Sequence, residues 1–99
     1  MAVDKLKMMQ HLLLKIPKGR VTSYKEIAKK LGIHPRTAGR LVGNNPDSNK
    51  YPCYKVVYSD GRIGGYTGSK GVVEKMKRLK KDGIEIKNGR IPKKFFFYF

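Results

Sequence analysis

One thiol, Cys53, stands behind a proline in the run Tyr51-Pro52-Cys53-Tyr54-Lys55-Val56, and it is the only cysteine in 99 residues. A cysteine in the thiolate form is a strong nucleophile and can accept a carbon group covalently; as a buried thiol it is merely a small apolar side chain. A free thiol of pKa about 8.5 is only about 3% ionised at neutral pH, so a reactive cysteine needs a base or a cation beside it. The side chains that could serve such chemistry are Tyr54 and Lys55 next to it and Asp82 further on. Arg36 and Arg40, one helical turn apart, have the spacing to face an anion together. The two histidines, His11 and His34, lie far from the cysteine and from each other, without the spacing of a metal site.

The charge says what such a thiol would meet. Lysine and arginine number 23 against 7 acidic residues, giving a net charge of +16. Solubility needs only about 2–8. A Lys-rich surface is one account, since thermophile proteins carry such surfaces; a field for nucleic acid or an anionic membrane surface is the other. No apolar run approaches the roughly 18 residues of a membrane span, and the N-terminal Asp4, Lys5 and Lys7 ahead of a short Leu cluster do not make a signal peptide. One cysteine makes no internal disulfide, and a reducing cytoplasm is the expected compartment. The length suits one domain with a modest core.

The elements that must position these residues follow from spacing. Asp4 caps a predicted helix to about Ile16, with Leu6, Met9, Leu13 and Ile16 on one stripe, and Pro17 ends it before the basic turn Lys18-Gly19-Arg20. Ser23 and Glu26 have capping-box spacing ahead of Ile27, Ala28 and Leu31, and Gly32 is a left-handed terminator. His34-Pro35 opens the next helix, which runs to about Gly43; two short helices across a tight Gly turn read as a helix-turn-helix. Residues 44–50 are a polar loop. Ser59-Asp60-Gly61 between Val56 to Tyr58 and Arg62-Ile63 predicts a hairpin, and Gly64-Gly65-Tyr66-Thr67-Gly68 a loop without the Gly-Lys-Ser/Thr ending of a P-loop. Residues 71–81 read as a helix with Val72, Met76 and Leu79 inward and its basic residues outward. Ile84, Ile86, Asn88-Gly89 and Ile91 predict a second hairpin, and the aromatic tail 95–99 a packed terminal strand or docking segment. The fold class is thus mostly α with short β hairpins, a winged-helix-like helix-turn-helix DNA-binding domain.

Residues 16–84 resemble the C-terminal domain of the O6-alkylguanine-DNA alkyltransferases, the methylated-DNA–protein-cysteine methyltransferases. The shared pieces are Ile16-Pro17-Lys18-Gly19 with Val21 and Ser23-Tyr24, Pro35-Arg36, Gly43-Asn44-Asn45-Pro46, Pro52-Cys53 with Lys55-Val56-Val57, Gly64-Gly65-Tyr66-Thr67-Gly68, and Leu79 with Asp82-Gly83. Any one of these is weak; their order along the chain is what makes them specific. The resemblance implies a single domain over 1–99 that binds the minor groove of double-stranded DNA, flips an O6-alkylguanine out, and moves the alkyl group to its own Cys53 without a cofactor. Flipping costs a few kcal/mol of stacking and pairing. By the resemblance, Arg36 is the finger that fills the vacated space, and Tyr24 crowds the phosphate beside the flipped nucleotide. Lys18, Arg20 and Arg40 hold phosphates with the helix-start amides. The base pocket comprises Asn45, which braces the turn before the cysteine, Val56, whose carbonyl accepts from the guanine amino group, and Tyr66, Thr67 and Gly68, which close over the base.

The chain departs from the family at the proton relay. A histidine normally follows the cysteine and is hydrogen-bonded to a glutamate; here those places hold Tyr54 and Asp82, and the next arginine is Lys55. Bringing a thiol from pKa about 8.5 to 7 is worth roughly fifteen-fold in thiolate, about 1.6 kcal/mol. A lost base slows such a reaction by a comparable or somewhat larger factor without abolishing it. Three readings follow: a single-turnover methyltransferase with catalytic Cys53, Tyr54 and Asp82; an alkyltransferase-like lesion binder that feeds nucleotide excision repair without transfer; and a helix-turn-helix regulator with an inert thiol. Short length favours the second reading. Retention of the cysteine favours the first, because such binders typically replace it and keep the histidine. No oligomer signature is visible, so a monomer is expected, with repair proteins as possible further partners.

Overall fold

The computed structural model describes residues 4–45, 50–64 and 71–99. Helix α1 (Lys5–Lys15) starts at Asp4, whose carboxylate accepts from the Lys7 amide. Helix α2 (Tyr24–Leu31) starts at Ser23, whose hydroxyl accepts from the Glu26 amide at 3.0 Å, and stops at Gly32, which sits at φ 67° as a left-handed cap. The Glu26 carboxylate reaches elsewhere, accepting from the Phe99 amide at 3.2 Å. Helix α3 (Pro35–Gly43) carries proline in its first turn, and the His34 ring nitrogen Nδ1 accepts from the Arg36 amide. Lys5 ties α1 to the end of α2 by donating to the Leu31 carbonyl at 2.8 Å, a cation on the partially negative end of a helix.

Two short strands sit beneath these helices. Strand β1 (Thr22–Ser23) pairs in parallel with β2 (Val56–Val57), in the register Thr22 to Val56 and Ser23 to Val57. Parallel strands require a crossover; here it contains α2 and α3. The Asp60-Gly61 turn forms, with the Tyr58 amide donating to the Arg62 carbonyl at 2.9 Å. The hairpin expected there is nevertheless not what holds β2. Val56 and Val57 are fully buried, and a partner on the helical side lets both their faces be covered. The second turn closes as predicted: Lys87 and Arg90 form an antiparallel bridge, with Asn88 at φ 53° and Gly89 at φ 74°. Arg62 also bridges to Arg90, which joins the two turns.

Strand alternation divides the interior. Val56 enters a core with Met9, Leu13, Ile27, Leu31, Ala38, Val42 and Cys53. Val57 enters another with Val21, Ile63, Leu79, Ile84, Ile91 and Phe96. The aromatic tail is strand-like and binds both. Phe96 bridges in parallel to Val21 and enters the second core, while Phe97 and Phe99 pack on the first.

Helix α4 (Gly71–Lys81) has the expected bounds, and Leu79 and Met76 face the second core as expected, but Val72 does not and the fully buried stripe differs. Val72 is exposed, and Gly71, Lys75 and Leu79 are buried. Sequence periodicity offers two stripes here, 72-76-79 and 71-75-79, and the ordinary exposure of lysine favours the first. The second wins because the buried side of α4 faces the Val56 and Ile63 carbonyls, which accept from the Lys75 ammonium. Among the described residues, no helix is long and apolar enough to cross a membrane.

Candidate functional site

Cys53 lies in a single 3₁₀ turn, Cys53–Lys55, that leads directly into β2. Proline supplies the turn's start, and the Lys55 and Val56 amides close it onto the Pro52 and Cys53 carbonyls. The thiol is 5% exposed and packs in the first core. Asn45 joins this turn to the end of α3: its side-chain amide donates to the Tyr51 carbonyl at 2.8 Å, and its oxygen accepts from Gln10 at 3.4 Å.

Beside the thiol lies a group absent from the sequence-predicted site. Lys75 is wholly buried, and its ammonium donates to the carbonyls of Val56 at 2.7 Å and Ile63 at 2.6 Å, and to the Tyr24 hydroxyl at 3.4 Å. Burial pushes its pKa down to about 8, and negative charge on the Cys53 sulfur works the other way. Tyr24 is pushed up to about 12, first by burial and then by the charges of Tyr58 and Cys53. Cys53, Lys75 and Tyr24 therefore lie within electrostatic reach of one another. The Val56 carbonyl thus accepts from Lys75 at the strand that follows the cysteine turn.

A second lysine, Lys55, is also drawn inward. It is buried, and its ammonium pairs with the Asp82 carboxylate at 3.1 Å and donates to the Pro17 carbonyl at 3.1 Å. The same carboxylate oxygen accepts from the Gly19 amide at 3.0 Å. Three segments thus meet at one ion pair: the cysteine turn, the turn after α1, and the end of α4. Tyr54 points to the Arg78 guanidinium, which lies 5.9 Å from its ring centre.

Two clefts contain sequence-predicted site residues, and one of them borders the cysteine turn. The smaller, about 320 Å³, is lined by Tyr24, Arg36, Gly39, Arg40 and Tyr58, and so brings three of the sequence-predicted DNA contacts together. Both arginines are exposed. The larger, about 730 Å³, is lined by Leu13, Lys18, Pro52, Tyr54, Arg78 and Asp82 among others. Lys18 is therefore on the Tyr54 side rather than beside Arg36. Arg20 is exposed and donates to the Lys94 carbonyl, which draws it towards the tail. Tyr66, Thr67 and Gly68 lie outside the described residues. Among the described residues, no group of His, Cys, Asp and Glu could hold a metal ion.

Sequence reasoning missed Lys75, Lys55 as a buried ion-pair partner, and Tyr58. For the two lysines no local signal was available, because burial of a lysine depends on carbonyls and carboxylates supplied by distant segments. For Tyr58, a bulky aromatic at the edge of an Asp-Gly turn was a visible cue.

These features define a class: a small helix-turn-helix domain with a thiol buried in the core against α3 and a cleft of tyrosines and arginines on its surface. The chain belongs to the family of the 6-O-methylguanine DNA methyltransferase DNA-binding domain, whose sequence pattern matches residues 6–84. It is 49% identical over 71 residues to a methylated-DNA–protein-cysteine methyltransferase of Pyrobaculum aerophilum, covering 72% of this chain and 47% of that protein. It is 46% identical over 92 residues to a bifunctional methyltransferase/endonuclease of Picrophilus torridus, covering 91% of this chain and 30% of that one. The chain thus spans about half of one relative and under a third of the other. Among solved structures, S. pombe Atl1 in complex with damaged DNA containing O6-carboxymethylguanine superposes with a TM-score of 0.85 at 24% identity, over 98% of both chains.

Proposed function

We propose that this protein repairs O6-alkylguanine in double-stranded DNA by moving the alkyl group to Cys53, one base per protein molecule. The observation that carries this reading is the buried pair Cys53 and Lys75, with the half-buried Tyr24 hydroxyl accepting from Lys75 and its ring lining the Arg36–Arg40 cleft. The recognition helix α3 lies along the minor groove, Arg36 enters the duplex in place of the extruded base, and Arg40 and the first amides of α3 hold phosphates. The sulfur, having lost its proton, attacks the alkyl carbon. A sulfur–carbon bond forms, the carbon–oxygen bond breaks with its electron pair going to guanine, and a proton taken up by the base restores its neutrality.

Lys75 takes over part of the task for which the family's histidine relay serves. Its ammonium is a fixed cation near a sulfur that must carry negative charge in order to attack, in a site from which water is excluded. Asp82 contributes position: by pairing with Lys55 it fixes the turn that carries the thiol. Tyr54 covers that turn on the side of the larger cleft.

A second reading has a specific observation in its favour. The fold matches that of Atl1 in complex with damaged DNA, which suits a lesion binder that flips the base without taking the alkyl group. Intact mass after incubation with duplex DNA containing O6-methylguanine separates the two. Transfer requires a gain of one methyl group, absent in Cys53→Ala. Lesion-selective binding with unchanged mass would establish the second reading, and equal binding to damaged and undamaged duplex would sink both.

A further inference from the structure

Tyr58 is a large aromatic residue left 43% exposed on a turn outside the helix-turn-helix. Its ring is nevertheless held on several sides. The Tyr24 ring lies 5.2 Å away, tilted by 54°. The Arg62 guanidinium lies 4.8 Å from its centre. A ring carbon stands 2.9 Å from where a Cβ on Gly64 would be, and Gly64 is at φ 77°, so that position accepts only glycine. Arg62 is itself fixed, its Nε donating to the Asp60 carboxylate at 2.8 Å and its amide to the same group at 3.0 Å. The Gly61 carbonyl accepts from the Ile91 amide at 2.8 Å, which anchors the turn to the terminal hairpin.

An exposed aromatic fixed this firmly has already lost its rotamer freedom, so binding through it carries little further entropic cost. It lines the same small cleft as Tyr24, Arg36, Gly39 and Arg40. Those five residues bring two tyrosines and two arginines to one cleft and no carboxylate. The chemistry that fits is a sugar-phosphate. The Arg62 guanidinium over the Tyr58 ring adds a cation–π contact that holds the ring at the cleft.

We infer that Tyr58, backed by Arg62, is a specificity-determining residue whose hydroxyl grips the sugar-phosphate of the extruded nucleotide at the mouth of the cleft. The inference rests on the base-flipping reading above. A contact made only after extrusion favours damaged over undamaged duplex, since a paired nucleotide never reaches it.

The test compares binding of wild type and Tyr58→Phe to two duplexes, one with O6-methylguanine and one undamaged, by fluorescence anisotropy at fixed salt. The phenylalanine keeps the ring and its packing and removes only the hydroxyl. The expected result is an unchanged affinity for undamaged duplex and about ten-fold weaker binding to the lesion, the size of one hydrogen bond to a charged group. Equal binding of variant and wild type to the lesion overturns the inference, as does an equal loss on both duplexes. A wild type without any preference for the lesion overturns base flipping itself, and this inference with it.

Discussion

The Lys75 ammonium is held out of water by two carbonyls and a phenol, and that has a measurable consequence for pH. Its folded pKa of about 8 lies below the ordinary 10.5 of an exposed lysine. The unfolded chain therefore binds the proton more tightly between those values, and stability contributed by this group rises with pH across that window. Below about pH 8 the full cost of burying the charge is present. The difference is worth roughly 3 kcal/mol. Urea unfolding of wild type and Lys75→Met at pH 7 and pH 10 should show wild type gaining on the variant by up to that amount; a pH-independent difference would mean that Lys75 does not titrate there. Tyr24, pushed up to about 12, stays a neutral donor throughout the range.

At the scale of elements, the Lys55–Asp82 pair fastens the cysteine turn to both α4 and the turn after α1. Removing one member of a buried pair leaves a charge without its partner, at a cost of about 3–5 kcal/mol. Asp82→Leu is accordingly expected to lower stability by that order, and the double variant Lys55→Met with Asp82→Leu to recover much of it, as read from urea midpoints. Alkyl transfer separates position from charge. If Asp82 acts through the turn, the double variant should keep the transfer rate within about ten-fold of wild type, because its turn is repacked; a relay through the carboxylate would cost the full factor of a general base, about 10²–10⁴. The tail is an element of the same kind. Phe96 is buried and paired with Val21, so Phe96→Ala is expected to cost about 3–5 kcal/mol.

Across the whole molecule, on the proposed function, a charge of +16 on 99 residues should make association with DNA depend steeply on salt. The logarithm of the binding constant should fall against the logarithm of salt by about 0.9 for each phosphate neutralised. Arg40→Ala should reduce that slope by about one and weaken damaged and undamaged duplex alike, whereas Arg36→Ala should act mainly on the damaged one. A slope unchanged by Arg40→Ala would remove this residue from the interface. The split interior matters at this scale as well, since β1 and β2 separate the two cores and the thiol lies at the junction of the strands with the helical core.

Much of this was legible in the chain itself, because its signals are local. Asp4, Ser23, Gly32 and Pro35 mark helix ends through hydrogen bonds and dihedral angles that involve only near neighbours, and those ends stand where spacing puts them. The ordered motifs from Ile16 to Gly83 identified the family for a similar reason, since they lie along the chain in reading order. What only the tertiary structure decided is where charges are buried. Lys75 and Lys55 look like any other of the chain's 23 basic residues. They are drawn inward by Val56, Ile63, Pro17 and Asp82, groups that reach them only once the chain has folded. The parallel pairing of β1 with β2 has the same origin, because a long crossover leaves no turn signal at the strands it joins.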